Sequence, residues 1–335
     1  MQEPVFQSLQ RHPRAGRGTI ETAVRPHDTA LKHVSASAGS VGTSTRTTRS
    51  TTMPIADNSR TDPFCSIQGK GAPVLALHSS ANSGSQWRSL VEYLEGSFQV
   101  LTPDLPGNGR SSALRPAASG FLPVAAALDG LIDSCGQPVH LVGHSFGAAV
   151  ALKFALRRPD RVRSLTLIEP AAFHLLRRGN TEDRAHYAEI NALADTVFGY
   201  AAEGKSDRGM AHVVDFWVGP NAWERTSARL RAALTKRLTQ VLEDFAVIAT
   251  DTDTLAGCAT ITCPTLCMMG QDSPKVSRRV TERLAAVLPC ARLDDVPGTG
   301  HLLPLTDPHV VDPAILRHLL AVDAREAAGA VAVAA

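Results

Sequence analysis

Gly143-His-Ser-Phe-Gly147 sets a serine between two glycines, each one residue removed from it. An apolar run over residues 139–142 reads as a strand, and residues 146–157 read as a helix, so the motif stands on a strand–turn–helix junction. On such a turn the Ser145 hydroxyl projects off the strand end. Small neighbours are needed because a Cβ there would meet adjacent backbone, and the helix N-terminus behind it favours negative charge. A serine hydroxyl needs a base to become a nucleophile. The motif is accompanied, in chain order, by an acid and then a histidine. Met269-Gly-Gln-Asp-Ser-Pro274 puts Asp272 in the loop after a strand, and Gly298-Thr-Gly-His-Leu302 puts His301 in a glycine-flanked loop after the last strand. His301 is expected to take the serine proton. Asp272 is expected to orient His301 and stabilise its imidazolium, with Glu169, directly after the strand at 162–168, as the alternative acid. Asp294 and Asp295 read as rim or surface charges.

Acyl transfer also needs donors for a developing oxyanion. The expected pair is the backbone N–H of Phe146 and one from the loop His78-Ser-Ser-Ala-Asn-Ser-Gly84, Ser80 first and Ser79 next. His78 reads as a brace of that loop or as part of the substrate pocket. Asp104 and Asn108 read as turn residues.

Short apolar runs at 74–77, 98–102, 139–142, 162–168, 265–269 and 291–296 predict strands. They alternate with helical patterns at 85–94, 124–135, 146–157, 275–288 and 310–320, and this predicts a mostly parallel sheet covered on both faces. Residues 170–262 break the alternation. Tyr187, Ile190, Leu193 and Val197 form one helical stripe, and Leu230, Leu234, Leu238, Val241, Phe245 and Ile248 form a longer one. The expected organisation is an α/β core over 59–169 and 263–323, an all-helical cap over 170–262, and a frayed tail at 324–335. The cap should sit over the C-terminal edge of the sheet, where ligands bind in open α/β sheets. Its Phe216 and Trp217, with Phe173, are candidates for an apolar pocket wall. Arg177 and Arg178 read as a solvated face.

The chain has 335 residues, 44% hydrophobic and 20% charged, with a formal net charge of +2. Residues 1–52 carry seven Lys/Arg and three acids, leaving 27 basic and 29 acidic residues in the remainder. No concentrated basic face for nucleic acid follows from this balance. Residues 1–58 have the composition of a disordered segment; a transit peptide and a translation start at Met53 fit it too. No secretory signal or spanning segment is visible, and a cytoplasmic protein is expected. Six cysteines scattered over so long a chain read as reduced thiols. Cys263 and Cys267 raise the question of a metal pair, but residues 265–269 read as a buried strand and no His or Cys partner lies at finger-like spacing, so no metal is expected.

Together, His78-Ser-Ser80, Asp104-Leu-Pro-Gly-Asn-Gly109, Gly143-His-Ser-Phe-Gly147, Gly270-Gln-Asp272 and Gly300-His301 resemble the α/β-hydrolase superfamily, in its branch with a helical cap after the sixth strand. The resemblance covers about residues 72–321. It implies an eight-stranded sheet and activity without metal or organic cofactor. The early loop departs from the family's usual His-Gly, having His78-Ser79. Serine at the nucleophile position, where haloalkane dehalogenases and epoxide hydrolases carry Asp, argues against those chemistries. The expected activity is hydrolysis of a carboxylic ester or thioester of a small to medium acyl group, on a small-molecule substrate. Carbon–carbon bond hydrolysis of a diketone-like ring-cleavage product and a non-catalytic binding role on the same scaffold are the alternatives. Substrate identity and oligomeric state do not follow from the sequence.

Overall fold

An unbroken apolar run cannot leave one side of its strand in water. In β2 (Ala72–Leu77), Val74 and Ala76 pack into one core while Leu75 and Leu77 pack into another. The sheet must therefore be covered on both faces. A computed structural model describes residues 63–114 and 120–334; the expectation for residues 1–58 lies outside them.

Seven strands form the sheet among the described residues, in the order β1-β3-β2-β4-β5-β6-β7. The others are β1 (Cys65–Gly69), β3 (Phe98–Pro103), β4 (Val139–His144), β5 (Val162–Ile168), β6 (Thr265–Gly270) and β7 (Ala291–Val296). All neighbours pair in parallel except β1, which runs antiparallel on β3. The described sheet thus has one strand fewer than the eight implied by resemblance. The edge strand β1 gave no pattern to read, since its one large apolar residue, Ile67, is 45% exposed.

On one face, α1 (Arg88–Leu94) and α13 (Pro308–Ala334) bury Leu90, Leu94, Ile315 and Leu319 against the strands. Helix α13 runs through Ala334, past the expected end at 320 and through the segment expected to fray. On the other face lie α2 (Leu122–Ala126), α3 (Asp129–Ser134), α4 (Phe146–Arg157) and α11 (Lys275–Val287). The single helix expected over 124–135 is thus two short ones.

Between β5 and β6 the chain is helical: α5 (Thr181–Ala202), α6 (Ser206–Val218), α7 (Ala222–Arg225), α8 (Ala228–Thr235), α9 (Leu238–Thr250) and α10 (Leu255–Cys258). A reciprocal capping box starts α5: Asn180 Oδ1 accepts the Asp183 N–H at 2.8 Å, and Asp183 Oδ2 accepts the Asn180 N–H at 3.1 Å. Asp183 also receives Arg279 Nε of α11 at 2.6 Å, which ties the insertion to the helical layer over the sheet. The stripe from Leu230 to Ile248 is not one helix. It breaks between α8 and α9, and Arg237 in the break donates to Ala81 O. No helix among the described residues is long and apolar enough to cross a membrane.

Candidate active site

Ser145 lies between β4 and α4 with φ 53° and ψ −116°, a left-handed backbone that a non-glycine residue rarely adopts. The two flanking glycines make the turn possible. A Cβ on Gly147 would lie 2.4 Å from the Leu77 carbonyl oxygen, and one on Gly143 would lie 2.5 Å from Ala148 Cα. The Ser145 N–H donates to Ile168 O at 2.9 Å, which anchors the turn to the end of β5.

His301 follows β7 and precedes the short helix α12 (Leu303–Thr306). Its Nε2 is 3.1 Å from Ser145 Oγ and its Nδ1 is 2.6 Å from Glu169 Oε2. With Nδ1–H donating to the carboxylate, Nε2 is left to accept the serine proton. Glu169 is wholly buried, and its second oxygen accepts the Gly270 N–H at 2.7 Å and the Ser273 hydroxyl. Burial alone would push this carboxyl up. The bonds from His301, Gly270 and Ser273 outweigh it and hold the carboxyl below its usual range.

The acid at His301 is therefore Glu169 and not the expected Asp272. Asp272 lies in the turn after β6 with its side chain exposed, and its N–H donates to Thr299 O at 2.8 Å. The reason is register. His144 pairs with Ile168 across β4 and β5, so Ser145 and Glu169 are the first residues beyond one rung. Asp272 stands two residues past the end of β6, where the chain has already turned outward. Asp295 pairs with Arg278 through both oxygens (2.8 and 2.9 Å) and Asp294 with Arg292, as charges at the rim.

Ser80 and Phe146 line the same cavity as Ser145 and His301. Phe146 opens α4, so its N–H has no acceptor within that helix. Of the two serines, Ser79 is committed: its N–H and its hydroxyl both donate to Gln86 Oε1, at 3.0 and 2.9 Å. Gln86 Nε2 donates in turn to His144 Nδ1 at 3.1 Å, and His144 Nε2–H donates to the His301 carbonyl at 2.8 Å. A buried line of hydrogen bonds thus joins the loop after β2, the residue before Ser145 and the backbone of His301. Burial lowers the His144 imidazole to about 3, so it is neutral in this line. His78 does not line the cavity. Its Nδ1–H donates to Ser79 O (2.7 Å) and its Nε2 accepts the Leu105 N–H (2.9 Å), and burial lowers it to about 4. It braces the loop and is not part of the pocket.

The cavity measures about 670 Å³, its opening to solvent included, and its wall is chiefly apolar. Phe173 and Trp217 line it as expected, whereas Phe216 does not; it packs edge-on against Trp217 at 4.9 Å. The two residues are adjacent on α6, and the rotation of the helix about its axis turns Trp217 inward. Apart from the serines and His301, the polar lining residue is Asp244 of α9, which sequence reading missed. A carboxylate within the apolar stripe of Val241, Phe245 and Ile248 was the available signal. Burial pushes Asp244 up to about 7, against hydrogen bonds from Ser80 and Gln240.

Among the described residues, His174, Asp251 and Asp253 bring ligand-type atoms within 4.8 Å of one another. The Lys153 ammonium already stands 3.3 Å from Asp251 and 2.8 Å from Asp253 and supplies the cation there. Burial pushes the thiols of Cys65, Cys258 and Cys267 up to about 12 and that of Cys263 to about 11, which disfavours their thiolate forms.

Residues 72–308 match the alpha/beta hydrolase fold family, and the chain belongs to it. A relative from Azorhizobium caulinodans, provisionally named carbamate hydrolase RutD, is 26% identical over 276 residues, covering 79% of this chain and 97% of its own. Lipase LipV of Mycobacterium tuberculosis is 41% identical over 101 residues, 30% of this chain and 38% of that one. The structure of MenH from S. aureus superposes with a TM-score of 0.62 at 17% identity, over 77% of this chain and 98% of that chain, a likeness of fold alone. The protein is a hydrolase of the α/β fold.

Proposed function

We propose that this hydrolase cleaves a carboxylic ester or thioester of a small to medium acyl group through an acyl-enzyme. The observation that carries the reading is the unbroken hydrogen-bonded line Ser145 Oγ–His301–Glu169 at the foot of an apolar cavity. Ser145 Oγ attacks the carbonyl carbon while its proton passes to His301 Nε2. The N–H groups of Phe146 and Ser80 receive the charge on the carbonyl oxygen. The tetrahedral intermediate collapses, and His301 returns the proton to the departing alkoxide or thiolate. Water, deprotonated by His301, then releases the acid and restores Ser145. Glu169 holds the imidazole tautomer throughout and stabilises the imidazolium without taking its proton.

The helical insertion acts in this reading as a cap, supplying Met210, Val213, Trp217, Val241 and Phe245 to the acyl chamber. Among the described residues its lining includes no Arg, Lys or Asn to receive a substrate carboxylate, which weighs against the ring-cleavage alternative. Local similarity to a lipase agrees with the ester reading, and a carbamate would engage the same acyl-transfer machinery. The test is labelling by a fluorophosphonate, followed by turnover of nitrophenyl esters from acetate to octanoate. Wild type should label and hydrolyse the shorter esters, and Ser145→Ala should do neither. Folded wild type that neither labels nor turns over any ester would overturn the reading.

A further inference from the structure

The loop after β2 is braced from within at His78 and Ser79, but its Ser80–Asn82 tip is held from outside the loop. Ala81, the residue after Ser80, has φ 52°, a strained left-handed conformation for a side chain with a Cβ. Both flanks of this point are held from the helical insertion. Arg237, immediately before α9, donates from Nη1 to Ala81 O at 2.9 Å and to Asn82 O at 3.2 Å. Two turns on, Asp244 Oδ2 accepts the Ser80 hydroxyl at 2.5 Å, while Oδ1 accepts Gln240 Nε2 at 2.9 Å. Arg237, Gln240 and Asp244 recur at helical spacing, so one face of the chain entering and forming α9 meets the loop. Residue separations of 155 to 164 make these contacts tertiary and not local turn chemistry.

We propose that Asp244, with Arg237, is a positioning residue: the cap helix clamps the Ser80–Asn82 loop so that the Ser80 N–H faces the carbonyl oxygen of the substrate. Neither side chain reacts. Asp244 acts through the Ser80 hydroxyl and Arg237 through the Ala81 and Asn82 carbonyls, so seating of the cap and assembly of the oxyanion site are one event. This inference rests on the proposed acyl transfer and deepens it, because it makes the insertion part of the transition-state machinery as well as a wall of the pocket. A clamp of this kind acts on the charge of the transition state and leaves ground-state binding of the acyl chain alone. Its loss therefore falls on kcat and on the rate of phosphonylation, not on KM.

The experiment compares wild type, Asp244→Ala, Asp244→Asn, Ser80→Ala and the Asp244→Ala/Ser80→Ala double variant. Readouts are fluorophosphonate labelling rate, and kcat and KM for nitrophenyl butyrate per labelled site. Asp244→Ala should lower kcat and the labelling rate by ~10- to 100-fold, part of the ~100- to 1,000-fold that removal of an oxyanion donor costs. KM should stay within about twofold. Asp244→Asn, which still offers an oxygen to Ser80, should recover most of the rate. Ser80→Ala keeps its N–H but loses the held hydroxyl, so it should resemble Asp244→Ala, and the double variant should be no worse than either. Ser80→Ala and Asp244→Asn carry the test if Asp244→Ala fails to fold. The clamp is overturned if kcat per labelled site is unchanged in Ser80→Ala, or if Asp244 variants change only KM or thermal stability. Labelling of Ser145→Ala, or none of wild type, would instead overturn the acyl-transfer reading and the clamp with it.

Discussion

The indole of Trp217 stacks on the imidazole of His301, with ring centroids 4.2 Å apart and planes inclined by 27°. The insertion thus reaches His301 itself. Phe173 stacks on Trp217 in turn, at 6.0 Å. A ring face against an imidazole excludes water from it. When the proposed mechanism makes that imidazole cationic, the face is also attractive, by ~0.5 to 2 kcal/mol in such pairs. Trp217→Leu should therefore lower kcat for a short ester by roughly 2- to 30-fold, the rate equivalent of that range. Trp217→Phe should lose less. Steady-state kinetics at saturating substrate check this, and a Leu variant with wild-type kcat would reduce the stack to packing.

Glu169→Gln should cut kcat by ~10³- to 10⁴-fold, because the amide can present its N–H to His301 Nδ1 and leave the wrong tautomer. Asp272→Asn should stay within about twofold of wild type, since its side chain is exposed and has no bond to His301. Measuring the two variants side by side on one ester decides which acid the histidine uses. The reverse pattern would restore Asp272 to the role that its place in the sequence suggested.

The Gln86 line should govern stability as well as rate. Gln86→Leu leaves the buried Ser79 N–H and His144 Nδ1 without the partner they now share. The penalty for stranded groups of this kind is ~1 to 3 kcal/mol each. A urea midpoint shift of that size, with reduced turnover of the folded fraction, is expected. A variant as stable and active as wild type would mean that this line is idle.

Asp244 sets a pH dependence of defined sign. In the folded protein burial, opposed by Ser80 and Gln240, leaves the carboxyl at about 7, with Glu243 a further charge raising it. In the unfolded chain it ionises near 3.8. The unfolded state thus loses its proton first, and this residue costs stability increasingly as pH rises from about 4 to about 7. Asp244→Asn should raise Tm relative to wild type at pH 8 and do little at pH 4, as read by calorimetry. His78 and His144, lowered to about 4 and about 3, work the opposite way. They favour the folded state above their unfolded value of 6.5, and that stability is lost as pH falls below it.

Where local pattern carried information, the sequence was readable. The glycines around Ser145 and the apolar runs before it mark the strand–turn–helix, and each has a close contact or a burial pattern that explains it. His301 was readable for the same reason, standing in a loop directly after the last strand. Choosing the acid required the pairing of His144 with Ile168, a register between strands that neither strand's own sequence carries. Telling Trp217 from Phe216 required the rotation of α6 about its axis, which is fixed by packing. The stripe from Leu230 to Ile248 concealed a break because α8 and α9 continue one apolar spacing across it. Asp244 was visible as a charge on an apolar face, but its partner Ser80 lies 164 residues away.

The central claim is that Ser145 carries the acyl group. Rapid mixing with nitrophenyl butyrate, acid quenching within the first turnovers and peptide mapping by mass spectrometry test it directly. The account predicts a butyryl adduct on the peptide containing Ser145, accumulating in a burst and absent from Ser145→Ala, which should not turn over. Full turnover by Ser145→Ala, or an adduct on any other residue, would contradict it.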